Sequence, residues 1–241
     1  MNIVWQETTI HTKIYFRERQ AVFWGFVFPL LLLFLFCSIF GGTPERSSAL
    51  VAGLICINVM AGALFGTGVI TVGAREQGIL RRYKMAPVSP WKIVTGMVVS
   101  RYVSITLATL LMLVLARLVY HITLPSNIPA ALLVYSTGAV MFSALAFVVA
   151  SLARSLAEAN GVSQALFMPM MFLSGATFPF EFMPAWLQKI AHVMPSTYYV
   201  SALKTVMAAG GGIKECSLDL TVMAVVTLLA VMVSARFFKW E

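Results

Sequence analysis

The run AVFWGFVFPLLLLFLFCSIF, residues 21–40, is an uninterrupted apolar stretch with no charged side chain. Wound as a helix, a run of this length rises about 30 Å, the thickness of a bilayer's hydrocarbon core. A charged leader before an apolar run also suits a secretory signal. The apolar part of a signal is shorter, however, at roughly 7–15 residues, and this leader carries Glu7 and Glu18. Residues 21–40 are therefore expected to remain as a first membrane span.

Five further apolar blocks follow, at 49–73, 90–120, 129–152, 161–177 and 218–235. Of the 241 residues, 60% are hydrophobic and 11% charged, whereas about a quarter of an ordinary soluble domain is charged. Such a chain cannot cover a soluble surface. The expected fold is an all-α membrane protein with six transmembrane helices, folded as one domain over 1–241. The net charge of +8 falls in short segments between the blocks, which argues against a nucleic-acid-binding face. Cys37 and Cys56 lie within apolar blocks and Cys216 stands alone, so the cysteines form neither a disulfide framework nor a metal-ligand spacing.

The cations orient the chain. With the N-terminus inside, Lys13, Arg17, Arg19, Arg75, Arg81, Arg82, Lys84, Lys92, Arg154, Arg236 and Lys239 are cytoplasmic. Only Arg46, Lys189, Lys204 and Lys214 are outside, the bias that membrane insertion favours. Both termini are then expected in the cytoplasm. Residues 1–20 mix Ile3, Ile10 and Ile14 with basic and aromatic residues, which predicts an interfacial helix, with an irregular tail as the alternative. Gly62 and Gly66 stand at the spacing that lets helices approach closely.

Between the second and third blocks runs AREQGILRRYKMAPVSPW, residues 74–91, the most charged stretch of the chain. Pro87 breaks it, and Ser89 before Pro90 suits the cap and first turn of the next helix. The segment 74–89 is thus expected to hold a short cytoplasmic helix joined stiffly to two spans. Charge alone leaves two readings open, a contact with a partner protein or a loop resting on anionic lipid.

Residues 173–204, LSGATFPFEFMPAWLQKIAHVMPSTYYVSALK, are too rich in proline for a span and too apolar for a free loop. Pro184 and Pro195 bracket one short helix, and a second runs from Ser196 towards Gly210. The segment 178–209 is expected to dip into the outer leaflet and return, an arrangement allowed only where protein or water satisfies the backbone. An aromatic belt at the membrane interface is the alternative.

Two patterns resemble one family. Arg75-Glu76-Gln77-Gly78-Ile79-Leu80-Arg81-Arg82 followed by Ala86-Pro87-Val88-Ser89 is similar to the coupling-helix pattern of the permease subunits of type-2 ABC exporters. The order Ser174-Gly175, Phe178-Pro179, Met183-Pro184, Trp186-Leu187, Pro195, Thr197-Tyr198 and Ala202-Leu203 resembles their outer signature. The resemblance implies that Arg75, Glu76, Gly78, Leu80, Arg81, Arg82 and Pro87 couple the chain to an ATPase. It likewise implies that Pro179, Phe180, Pro184, Trp186, Pro195 and Tyr198 form an outer gate. Lys204 stands where the family often has arginine, which keeps the charge and loses the fork.

The resemblance also implies partners: two copies of an ATPase subunit that bind ATP and Mg, and a second permease copy or a paralogue, in the inner (plasma) membrane of a bacterium. The sequence holds no phosphate-binding GxxxxGK[ST] loop, so no cofactor is expected in this chain and it is not expected to be an enzyme. Its acidic residues and histidines all lie near block ends, unlike those of a proton-coupled carrier. An ion-coupled carrier using neutral groups stays open as an alternative. Asn58, Gln164, Met168 and Met171 are candidate lining of a substrate path, with helix packing as the plainer role. A lipophilic small molecule or lipid-like cargo is the favoured substrate class, with a glycan or peptide as the rival.

Overall fold

The computed structural model describes residues 3–79, 90–177, 180, 183–208 and 210–237. Their regular structure is all helix, with no strand among the described residues. Helix α1 spans Ile3–Arg17. Helices α2 (Arg19–Phe40) and α3 (Pro44–Glu76) follow, each containing one π-helical turn, at Phe23–Val27 and Leu64–Val69. Then come α4 (Pro90–Tyr120), α5 (Ile128–Leu152), α6 (Leu156–Leu173), α7 (Ala185–Ala191), α8 (Pro195–Met207) and α9 (Ser217–Phe237).

Local chemistry sets the helix starts. Thr43, Asn127 and Ser155 each accept a hydrogen bond from a first-turn backbone N–H of α3, α5 and α6, satisfying donors that have no partner inside the helix. Pro44, Pro129 and Pro195 sit in first turns, where their missing N–H is not needed. Glu158 Oε2 also accepts from Arg154 N at 2.8 Å, so the sequence Ser155-Leu156-Ala157-Glu158 closes the α6 N-terminus from both sides.

Five helices are long and apolar enough to cross a membrane: α2, α3, α4, α5 and α9. The sixth expected span, 161–177, corresponds to α6. That helix is 18 residues long, contains Pro169, and carries Glu158, Asn160 and Gln164, which bring it below the apolar content of the other five. The second block also proves longer than 49–73, because α3 runs unbroken for 33 residues. At the usual helical rise that is about 50 Å, well beyond the hydrocarbon core.

Helix α3 is the axis of the bundle. Two-thirds of its most apolar stretch is buried, against 11% for α9. Val51, Ala52, Cys56, Val59 and Met60 are sealed among α2, α4, α5 and α8. Water does not drive such packing inside a bilayer, so close van der Waals fit must. The glycines supply it. A side chain at Gly62 would meet Ile105, one at Gly66 the Arg101 guanidinium, and one at Gly68 the Ala146 carbonyl. The Gly62/Gly66 spacing is thus used within the protomer, to seat α4.

Helix α1 lies along the first turns of α4. Thr8 Oγ1 donates to Gly96 O at 3.4 Å, Thr12 and Ser100 hydroxyls are 2.8 Å apart, and any side chain at Gly96 would collide with Glu7. Trp5, Ile10, Ile14 and Phe16 face outward. A helix with small hydroxyls on the protein and bulky apolar groups facing away suits a membrane interface.

Candidate functional site

Three regions carry the expected functional residues. At the end of α3, Arg75 turns inward. Its guanidinium donates to Ala150 O at 3.0 Å and to Ala153 O, two carbonyls at the C-terminus of α5. A cation belongs there because the last turn of a helix has unpaired carbonyls and a partial negative charge. Glu76, next along, is exposed. The helix then stops at Gly78, whose φ of 68° is left-handed and whose N–H donates to Arg75 O at 2.9 Å. Other residues take up that conformation only at a cost, so the glycine sets where the segment leaves α3. Leu80, Arg81, Arg82 and Pro87 lie outside the described residues.

The second region is α7 and α8 with the turn before them. Pro184 is the cap residue of α7, and Pro195 opens α8. Side chains tie the two helices to backbone carbonyls. Gln188 Nε2 donates to Phe180 O (3.1 Å) and Met183 O (3.0 Å), Thr197 Oγ1 to Ala191 O (2.6 Å), and Tyr198 OH to His192 O (2.8 Å). The Phe180 ring stacks on His192 with planes 10° apart. Gly175, at φ 73°, leaves room for that ring. Lys204 Nζ donates to Gly175 O at 2.8 Å, a contact for which a point charge suffices. Trp186 projects outward, 64% exposed, and Pro179 lies outside the described residues.

Helix α8 is no surface flap. Tyr199, Val200, Leu203 and Val206 are buried in the main core, with the Tyr199 ring pressed against Gly138 of α5 and edge-on to Phe142. Next to it, the Ala176 carbonyl packs directly on Gly53 of α3. Nothing in the local sequence of 196–207 signals these long-range partners beyond its apolar stripe.

The third region is α6. Its inner face, Ala159 and Ser163, packs on the π-helical part of α3, where Phe65 meets Phe167 edge-on at 5.5 Å. Its outer face exposes Asn160, Gly161, Gln164, Ala165, Met168 and Phe172, residues recurring at helical spacing. Gln164 makes no hydrogen bond to the described residues. Met171 is half-buried at the edge of this stripe. Asn58 is placed differently: it is buried and its amide donates to Thr109 Oγ1 of α4 at 3.2 Å. The stripe therefore brings together Gln164 and Met168, with Met171 beside them and Asn58 apart.

This bundle, with its long central helix, inward arginine and paired short helices before the last span, is that of a multi-pass helical membrane protein. The family pattern described as ABC-2 type transporter matches residues 4–208, and the chain belongs to that family. Among its relatives, the inner membrane transport permease YhhJ of Escherichia coli is 25% identical over 172 residues, 70% of this chain and 46% of that protein. The probable multidrug ABC transporter permease YbhR of the same organism is 25% identical over 173 residues, covering 70% and 45%. The putative transport permease YvfS of Bacillus subtilis is 22% identical over 215 residues, 87% of each chain. This chain thus spans a little under half the length of the first two.

Proposed function

We propose that this chain is the membrane-spanning permease of an ATP-driven exporter, working as a pair with a second copy or a paralogue and with two separate ATPase subunits. The observation that carries the reading is the outward stripe of α6. An amide facing lipid leaves its donors and acceptors unpaired, at a cost of kilocalories per group. A second permease chain covering Gln164 removes that cost and encloses a path between the two copies, while Asn160 on the same face already donates to Leu156 O at 3.0 Å. Met168, Met171 and Phe172 then offer soft, adaptable surface, which suits a lipophilic small molecule or lipid-like substrate better than a glycan.

In this reading α6 is the sixth span, the N-terminus is cytoplasmic, and the segment after Gly78 seats in the ATPase through Glu76, Leu80, Arg81, Arg82 and Pro87. Arg75 acts from within, tying that segment to α5 so that a push on it tilts two helices together. On the outer side, Pro179, Phe180, Pro184, Trp186, Pro195 and Tyr198 form a gate. The depth of Ala176 against Gly53, nine residues into α3, supports a segment that dips into the membrane and returns.

Cysteine cross-linking in native membranes tests the pairing. The natural Cys37, Cys56 and Cys216 are buried, so Gln164→Cys and Met168→Cys carry the signal. Each is expected to link two permease chains, identified by mass spectrometry, with a yield that changes when ATP is added to the complex. Linking through Leu229→Cys of α9 instead would overturn the reading. A triple charge reversal of Glu76, Arg81 and Arg82 is expected to leave ATP turnover intact and abolish its stimulation of export. Export driven by an ion gradient without the ATPase would favour the carrier alternative.

A further inference from the structure

A cavity of about 70 Å³ lies between α1, the π-helical turn of α3 and α4, bordered by His11, Tyr15, Glu18, Thr67, Ser100 and Arg101 among others. A water needs roughly 10–15 Å³ of such space, so the cavity admits a group of about five heavy atoms. Its polar lining is unfinished. Thr67 Oγ1 is buried with no hydrogen-bond partner, although buried donors of this kind are nearly always paired; His11 Nε2 makes no hydrogen bond either but lies 3.5 Å from the Glu7 carboxylate. The Arg101 guanidinium donates to Gly66 O at 3.1 Å and lies 4.6 Å from the centre of the Tyr15 ring. Among the described residues no carboxylate lies within ion-pair distance of it. Gly66 lets the guanidinium lie flat on the helix, since any side chain there would displace it.

The charges around the cavity are of both signs. Burial, more than the neighbouring Arg101, holds His11 below its ordinary value against the opposing pull of Glu7, and burial raises Tyr15. Both are therefore neutral near pH 7. That leaves Arg101 inside, the Glu18 carboxylate, on an exposed residue, at the rim, and the Glu7 carboxylate behind His11. A cation within and carboxylates around it match a zwitterion, whereas an anion of net negative charge would meet Glu18 and Glu7. The surroundings name the source of such a group: α1 turns Trp5, Ile10, Ile14 and Phe16 outward beside the cavity, the placement of a helix lying in a lipid headgroup layer.

We infer that this cavity is a binding site for an aminophospholipid headgroup, with the phosphate on Arg101 and Thr67 and the ammonium on Glu18. The lipid completes the missing hydrogen bonds and fastens α1 to the first turns of α4. None of the residues lining the cavity belongs to α6, so the inference does not rest on the transport path.

Native mass spectrometry of the full chain, stripped of lipid in detergent and titrated with dioleoylphosphatidylethanolamine, tests it. One lipid per chain is expected. Arg101→Gln should weaken binding about tenfold or more, the size of losing a charged hydrogen bond. Thr67→Val should weaken it severalfold while Thr67→Ser retains it, and Glu18→Gln should erase the preference over dioleoylphosphatidylglycerol. Should Arg101→Gln fail to fold, the Thr67 pair and Glu18→Gln decide alone. Unchanged binding in these variants, equal binding of phosphatidylglycerol by the natural chain, or displacement by millimolar inorganic phosphate would each overturn the site.

Discussion

Helices α6 and α9 are both poorly covered by the rest of the protomer, and they differ in what they leave uncovered. Along its middle, α9 exposes Val225, Leu228, Leu229, Val231 and Met232, side chains that lipid tails solvate without penalty. The exposed face of α6 is mixed: Gly161, Ala165, Met168 and Phe172 stand beside Asn160, whose amide donates to Leu156 O, and Gln164, which makes no hydrogen bond to the described residues. Exposure in a membrane protein is therefore two different conditions. An apolar exposed face has reached its solvent, while a polar one still lacks its partner.

The sharpest way to break this contrast is to place a charge on each face. Leu229→Arg puts a guanidinium near the middle of α9, where insertion measurements assign about 2.5–3.5 kcal/mol to such a residue. The amount of membrane-integrated protein, read by alkali extraction, is expected to fall steeply. Gln164→Arg should be integrated much closer to the natural level, because the proposed pairing turns its face to protein and a path. Equal losses at both positions would mean that α6 faces lipid after all.

A second comparison separates the two sides of α6. Ala159 is fully buried against Val69, Val72 and Ala150, so Ala159→Leu must overpack that seam and should lower stability by roughly 1–3 kcal/mol. Ala165→Leu, on the outer face, is expected to leave thermal unfolding of the isolated protomer within about 0.5 kcal/mol of the natural chain. Its effect should appear instead in the fraction of paired permeases on size-exclusion chromatography.

How much of this was legible in the sequence depends on the range over which each signal acts. The prolines at 184 and 195 and the glycines at 78 and 175 act locally, and the two short helices and the left-handed turns fall where those residues stand. The α6 start was equally local, since Ser155 and Glu158 form a recognisable cap, yet the apolar run alone begins only at Gly161 and hides it. Arg75 was different. A cation in an inner loop suggests a partner outside the chain, whereas its described carbonyl partners lie 75 and 78 residues further on, beyond any local pattern. The cavity at Arg101 likewise joins residues from three helices and has no motif.

The amides illustrate the same limit at one residue type. Asn58 and Gln164 look alike in sequence, each a single amide in an apolar block. Asn58 donates to Thr109 inside the bundle, so Asn58→Leu removes one buried hydrogen bond and leaves the Thr109 hydroxyl without its donor. A loss of about 1 kcal/mol in thermal stability is expected, with export reduced only as far as folding is.

Gln164→Leu is expected to do the reverse, and it is the smallest effect on folding among these changes. No hydrogen bond to the described residues is lost and an exposed position gains apolar character, so unfolding of the lone protomer should shift by less than about 0.5 kcal/mol. What changes is the face presented to the second copy. A leucine is soluble in lipid, so the drive to hide this stripe weakens while the pair loses a polar contact. Pairing should fall, and any substrate that presents a hydrogen-bonding group to the path should lose transport more than a purely apolar one. A variant that pairs and transports every substrate as the natural chain does would place α6 against lipid and reduce it to a second α9.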